Sequence, residues 1–354
     1  ILVAMTELTA VAKYINYWWP EIPNWISVFF FFVVISLINL ANVKFYGESE
    51  FWLSIIKVTA IIAMIVFGIY LVLTAEPTST TTFSNLWTHG GFFPNGFDGL
   101  FYMLAFLMFG FGGIELVGMA AAEAKDPIKT IPKAINQVVP RILIFYVGSM
   151  IILLSLVPWN QINLGGLDKS PFVMVFSLIG IAWAAHLVNF IILTAALSVY
   201  NSGMYANSRM LYGLAMQGNA PQIFSKTNKH GVPIPAVLFS AFLILGCVPL
   251  NYIAPEEALG HLMYIVVGAL VLNWLMITLT HLKFKRALKL TQQRSQYPAL
   301  WAPFGNIVVI IFIGAVLYIM WVQGFKESVL MIPIWITLML VLFDFLNPKS
   351  IDSI

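Results

Sequence analysis

The run Trp25-Ile26-Ser27-Val28-Phe29-Phe30-Phe31-Phe32-Val33-Val34-Ile35-Ser36-Leu37-Ile38-Asn39-Leu40 decides the fold class. It carries no charge, and its apolar residues follow one another without alternating with polar ones. Only helices and closed barrels satisfy the backbone inside lipid, and a barrel strand would alternate over about ten residues. This run is a membrane helix. The rest of the chain has the same character: of 354 residues 60% are hydrophobic, 9% are charged and 15% are aromatic. A soluble domain carries about a quarter charged residues, so an ordinary cytosolic enzyme is excluded. A disordered chain would need low hydrophobicity and is excluded too. A net charge of +3 gives no reason to expect nucleic-acid binding. Trp and Tyr suit the two membrane interfaces.

Crossing ~30 Å of hydrocarbon takes about 20 apolar residues in a helix. Ten spans meet that pattern, at 1–19, 25–42, 51–73, 98–121, 141–158, 172–200, 234–253, 261–282, 303–322 and 329–346. Polar and Pro-containing clusters separate them, and no gap is large enough for a soluble domain, so the expectation is one all-α polytopic domain. Alternate loops and the tail carry Lys44, Lys125, Lys129, Lys133, Arg141, Arg209, Lys226, Lys229, Lys283, Lys285, Arg286, Lys289, Arg294 and Lys349. The opposite loops carry only Lys169 and Lys326, while Lys13 and Lys57 fall within spans. The positive-inside rule then puts the basic loops and the C-terminus in the cytoplasm. The basic run 283–294 is a topology determinant on this reading. The Lys- and Arg-free segment 74–97 lies outside, with Pro77–Thr82 as an exposed loop. The single Cys247 permits no internal disulfide.

The fourth span contains Phe109-Gly110-Phe111-Gly112-Gly113-Ile114-Glu115. Gly costs about 1 kcal/mol relative to Ala inside a helix, and an acid at mid-membrane costs roughly 2.5–3.5 kcal/mol or more. Two readings fit this cluster. In one, the helix is discontinuous and its unwound backbone lines a cavity, with carbonyls for a substrate ammonium and N–H groups for a carboxylate. In the other, small residues allow close helix packing and Glu115 bonds to a neighbour. Lys57 likewise either snorkels to the interface or is a buried ammonium able to exchange a proton. Glu7, mid-way along the first span, is too short to snorkel. His186, Asn189, Asn201 and Asn273 are expected to hydrogen-bond within the bundle. The sequence holds no metalloprotease, nucleophile-elbow or Walker motif. Neither a metal nor another cofactor is expected, and no enzymatic activity.

Phe109 to Leu116, Ala120-Ala121-Ala122-Glu123-Ala124-Lys125-Asp126-Pro127 and Ile131-Pro132-Lys133-Ala134-Ile135-Asn136 resemble the sixth membrane helix and following loop of amino-acid permeases. These form part of the amino acid–polyamine–organocation superfamily. Gly47-Glu48-Ser49-Glu50-Phe51-Trp52, Asn207-Ser208-Arg209-Met210-Leu211 and Gly218-Asn219-Ala220-Pro221 extend the resemblance along nearly the whole chain. Glu7 to Tyr14, Leu197-Ser198-Val199-Tyr200-Asn201-Ser202 and Tyr297 to Leu300 look most like bacterial aromatic amino-acid and phenylalanine permeases.

The resemblance implies two inverted five-helix repeats plus two further helices, with alternating access. The ten spans would be helices three to twelve of that plan. Residues 1–73 would belong to the first repeat, 98–282 to the second, and 303–346 to the accessory pair. It also implies that two helices, one with its own Gly-rich break, precede Ile1. Carried over by position, backbone at Phe109, Gly110, Phe111 and Gly112 would meet the substrate ammonium, with Phe109 as an aromatic gate. Gly113, Ile114 and Glu115 would shape the pocket floor, and Glu7 would line its other side. Lys57 would carry the coupling proton. Glu123 and Arg209 would serve cytoplasmic gating or packing. The implied function is proton-coupled import of amino acids, aromatic ones first, across a bacterial inner membrane. Its partners would be amino acid, proton and lipid. An exchanger without net proton coupling and a non-transporting amino-acid sensor or scaffold are the alternatives.

Overall fold

The computed structural model describes residues 1–76, 81–120, 126–161, 173, 176, 183–293, 295, 297–299 and 301–346, with backbone alone at Ala105, Phe106, Phe109, Met119, Ala120, Pro127 and 343–346. Among these residues every regular element is helical. We label α1 Leu2–Asn16, α2 Asn24–Ala41, α3 Val43–Thr74, α4 Gly96–Gly110, α5 Leu116–Ala120, α6 Ser149–Leu156, α7 Ala184–Met216, α8 Ile234–Leu245, α9 Ala258–Leu290, α10 Phe304–Val322 and α11 Lys326–Leu346. Among the described residues, seven stretches are long and apolar enough to cross a membrane: Asn24–Ala41, Val43–Thr74, Ile128–Leu156, Ala184–Met216, Ile234–Ile253, Ala258–Leu290 and Phe304–Val322. The chain is an integral, all-α membrane protein. α1 and α4 have 15 residues each, about 22 Å at 1.5 Å per residue, less than the hydrocarbon thickness.

Helix limits follow local chemistry. Pro23 precedes α2, where a missing N–H costs nothing because the first turn has no partner for it. α3 starts earlier than the apolar run suggested, at Val43, because Asn42 caps it: the Asn42 side chain accepts from Phe45 N at 2.7 Å. Capping of this kind outweighs the polar residues Lys44, Glu48 and Glu50 in the first turns. α7 likewise runs on to Met216, far past the expected end at 200. The polar segment after α3 is docked where it is described. Thr82 N reaches Ser155 O at 2.9 Å and Asn85 Nδ2 reaches it at 3.0 Å, so Thr82 belongs to a pinned turn and not to a free loop. Pro77–Thr80 lie outside the described residues, as do Glu123, Lys125, Lys169, Arg294 and Lys349.

The helices group into two compact units, Ile1–Asn95 with Ile135–Leu259, and Gly96–Ala134 with Gly260–Ile354. In the first, α1 buries Ala4, Leu8 and Ala12 against Val28 and Ile35 of α2, Tyr200 and Met204 of α7, and Val237 and Ile244 of α8. The i, i+4 spacing of the α1 residues puts them on one stripe. α3 meets α6 through Met64, Ile152, Leu153 and Leu156. Here Gly68 matters, because a Cβ at that position would overlap Ile152 Cγ2 and come within 3.2 Å of Leu156 Cδ1. The outward face of α2 stays apolar, with Phe29, Phe30 and Leu37 exposed. A helix apolar on both its packed and its outward sides suits lipid. The second unit is built on Met108 of α4, Val267 and Val271 of α9, Ile313, Val316 and Met320 of α10, and Phe325.

Buried amides tie helices together. Asn189 Nδ2 donates to Tyr14 O at 2.8 Å, and Asn251 Nδ2 donates to Thr9 Oγ1 at 2.8 Å. Such bonds hold membrane helices where apolar contact with a neighbour gains little over contact with lipid. His186 is a hydrogen-bonded histidine, as expected: its Nδ1 accepts from Trp18 Nε1 at 2.9 Å. Asn273 differs from expectation and is exposed on α9.

Candidate functional site

Two sites are described separately, one in each unit. The first is the Gly-rich stretch. α4 ends at Gly110, and the backbone turns through 111–115 before α5 begins at Leu116. Phe111 N still reaches Leu107 O at 3.1 Å, four residues back. Beyond it the pattern tightens: Leu116 N, Val117 N and Gly118 N reach the carbonyls of Gly113, Ile114 and Glu115, three residues back, at 3.1, 3.3 and 3.0 Å. Gly113 has φ +99°, a backbone conformation that a residue with a Cβ rarely adopts. That positive φ turns the Gly113 N–H onto the Glu115 carboxylate, with N to Oε2 3.1 Å. The same Oε2 accepts from Trp274 Nε1 of α9 at 3.3 Å.

Both sequence readings of this stretch therefore describe part of it. The helix is interrupted, and Glu115 is bonded to a neighbouring helix. Both described donors thus converge on one oxygen of a partly buried carboxylate. Ile114 is exposed and Phe111 half-buried at the turn. The Phe109 side chain lies outside the described residues, so only its backbone is placed, in the last turn of α4.

The second site surrounds Lys57 on α3. Its Nζ donates to Ser198 Oγ of α7 at 2.8 Å and stands 4.0 Å from Glu50 Oε1. The amine thus turns sideways onto a neighbouring helix. Ser198 Oγ in turn donates to Glu50 Oε1. Ser54 Oγ donates to the same oxygen at 3.2 Å, and Asn201 Nδ2 donates to Glu50 Oε2 at 3.3 Å. Asn201 is held from α2, where Asn39 Nδ2 donates to its Oδ1 at 2.9 Å. Glu7, half-buried on α1, lies within electrostatic reach of Lys57. Lys57 also lines an apolar cavity of about 160 Å³, with Ala60 and Ile61 of α3 and Val188, Ile191, Ile192 and Ala195 of α7.

A family model described as amino acid permease matches residues 1–345. The aromatic amino acid transport protein AroP of Escherichia coli (strain K12) is 53% identical over 337 residues, covering 95% of this chain and 73% of the relative. AroP of Salmonella typhimurium (strain SL1344) is 53% identical over 340 residues, covering 96% and 74%. The uncharacterized transporter YdgF of Bacillus subtilis (strain 168) is 38% identical over 352 residues, covering 99% and 76%. The chain belongs to the amino acid permease family.

The permease holds three residues at these sites that the sequence alone did not point to: Glu50, Ser198 and Trp274. Glu50 lies just ahead of the apolar span 51–73 and belongs to one of the stretches of family resemblance. Its spacing was informative: Glu50, Ser54 and Lys57 at i, i+4 and i+7 share one helix face. Ser198 and Asn201, at i and i+3 on α7, face them. Two of the stretches that carry the family resemblance, 47–52 and 197–202, thereby meet in space around Lys57. Trp274, the partner of Glu115, had no signal, since it stands alone on an apolar helix 159 residues away. Arg209 sits over the Tyr205 ring at 5.1 Å, and Tyr205 stacks on Tyr46 at 3.9 Å, a packing arrangement that ties the first turn of α3 to α7.

Proposed function

We propose that this permease is a secondary transporter that imports amino acids, aromatic ones by preference, through alternating access and proton symport. The observation that carries the reading is the interrupted helix at 110–115. Unwound backbone at membrane depth persists only where protein or a water-lined cavity surrounds it. Half-helix ends suit the two charged groups that every amino acid shares. Gly110, Phe111, Gly112, Gly113, Ile114 and Glu115 with the Phe109 backbone would supply that site, and the Phe109 ring would close over an aromatic side chain. The aromatic preference rests on the 53% identity to AroP proteins.

Lys57 and Glu7 would carry the proton coupling. A proton can drive transport only by favouring one facing state over the other, and a charge change at a half-buried amine among carboxylates has that effect. The bacterial relatives support an inner-membrane location, and the distribution of Lys and Arg supports a cytoplasmic C-terminus. The test is counterflow in proteoliposomes made with the full-length protein. Labelled phenylalanine should exchange against internal phenylalanine, tyrosine or tryptophan and not against aliphatic or charged amino acids. Binding without movement of label would favour the sensor reading and refute transport.

A further inference from the structure

Glu50 has no part in the coupling reading above, yet it is the most heavily hydrogen-bonded side chain around Lys57. We propose that Glu50 takes the proton that Lys57 releases, and that the Ser198 hydroxyl is the bridge between them. The inference rests on the coupling reading and deepens it.

Lys57 Nζ and Glu50 Oε1 are 4.0 Å apart, beyond hydrogen-bond distance. Ser198 Oγ touches both. It accepts from the ammonium at 2.8 Å and donates to the carboxylate. A hydroxyl that accepts on one side and donates on the other is oriented for transfer. One Nζ–H bond breaks as an O–H bond forms on Ser198. The original Ser198 O–H breaks as a new O–H forms on Glu50 Oε1. Ammonium and carboxylate become amine and carboxylic acid, serine is regenerated, and no co-reactant is needed.

The surroundings position both groups for that exchange. Both side chains are largely withdrawn from solvent, Lys57 being 30% and Glu50 20% exposed. Ser54 and Asn201 hold both carboxylate oxygens, and Asn39 holds Asn201. Glu50 is therefore positioned before the proton arrives. α2 and α7 contribute only the uncharged Asn39, Ser198 and Asn201 to this cluster. Among the described residues, Glu7 on α1 is a further charged group within electrostatic reach of Lys57. Glu50 lies two turns from Lys57, about 10 Å along α3 toward Asn42. That is the end carrying Lys44, on the side the charge asymmetry assigns to the cytoplasm. Proton release toward that side is what import requires.

The experiment compares gradient-driven accumulation of labelled phenylalanine with gradient-free counterflow, each across a pH series, in proteoliposomes of the full-length protein. Glu50→Gln keeps the acceptor for Asn201 but cannot take a proton. Ser198→Ala removes the bridge, and Ser198→Thr restores it. Glu50→Gln and Ser198→Ala should each lose accumulation by about 10²-fold, the usual scale for a positioned proton-transfer group. Counterflow should continue with a flattened pH profile, and Ser198→Thr should recover accumulation. Normal accumulation with the wild-type pH profile in Glu50→Gln overturns the proposal while leaving Lys57 in place. Equal loss of counterflow and accumulation in both variants also overturns it, because the cluster would then be scaffolding. Absence of gradient-driven accumulation in the unaltered protein overturns it together with the coupling reading.

Discussion

Gly113→Ala separates the cost of a backbone conformation from the cost of crowding. A Cβ built on Gly113 meets nothing closer than Leu116 Cδ1 at 3.9 Å, an ordinary contact, so crowding contributes nothing. The φ of +99° is the whole obstacle. Holding a residue with a Cβ there costs about 1–3 kcal/mol. The chain can accept that cost, or it can relax to negative φ and turn the Gly113 N–H away from Glu115. In the first case the protein loses stability; in the second, Glu115 loses one of its two described donors and the turn changes shape. If the full cost appears in binding, affinity falls by about 5- to 150-fold. The assay is equilibrium binding of labelled phenylalanine to purified protein, with thermal unfolding measured on the same samples. Gly47→Ala is the control: it has open space and no positive φ on α3. There alanine should be neutral or stabilising by about 1 kcal/mol. Wild-type affinity and wild-type unfolding temperature in Gly113→Ala would refute the geometry of the interrupted helix.

Three further outcomes are expected. Lys57→Ala should abolish accumulation driven by a proton gradient; persistence at normal pH dependence would remove Lys57 from coupling. Phe109→Ala should weaken binding of aromatic amino acids more than of small ones, which a competition series would measure. Gly68→Ala should lower the unfolding temperature without changing phenylalanine affinity. Overlap with Ile152 costs about 1–3 kcal/mol and outweighs the roughly 1 kcal/mol that alanine gains in a helix. A raised unfolding temperature would mean that α3 and α6 are not packed at that point.

The all-helical membrane class was readable from runs such as Trp25–Leu40 because lipid leaves few ways to satisfy a backbone. Helix limits were less readable. α3 begins at Val43 because one Asn side chain caps it, and a cap is a local hydrogen bond that an average over apolar residues does not register. The interruption at 110–115 was legible because glycine clusters and a carboxylate are both unfavourable mid-helix. The partners were not. Trp274 reaches Glu115, and Ser198 and Asn201 reach Glu50, across 159, 148 and 151 residues. Nothing local to either end of those bonds encodes the other. Lys57 shows the difference most plainly. Its burial was inferable from its place within a span, whereas its orientation toward Ser198 depended on how α3 packs on α7.

Uptake of labelled phenylalanine into proteoliposomes with an imposed inward proton gradient tests the central claim most directly. Proton symport predicts accumulation above the equilibrium level, collapse of that accumulation when a protonophore dissipates the gradient, and no such rise in Lys57→Ala. Equilibration to the same level with and without the gradient, alongside intact counterflow, would contradict symport and identify an exchanger.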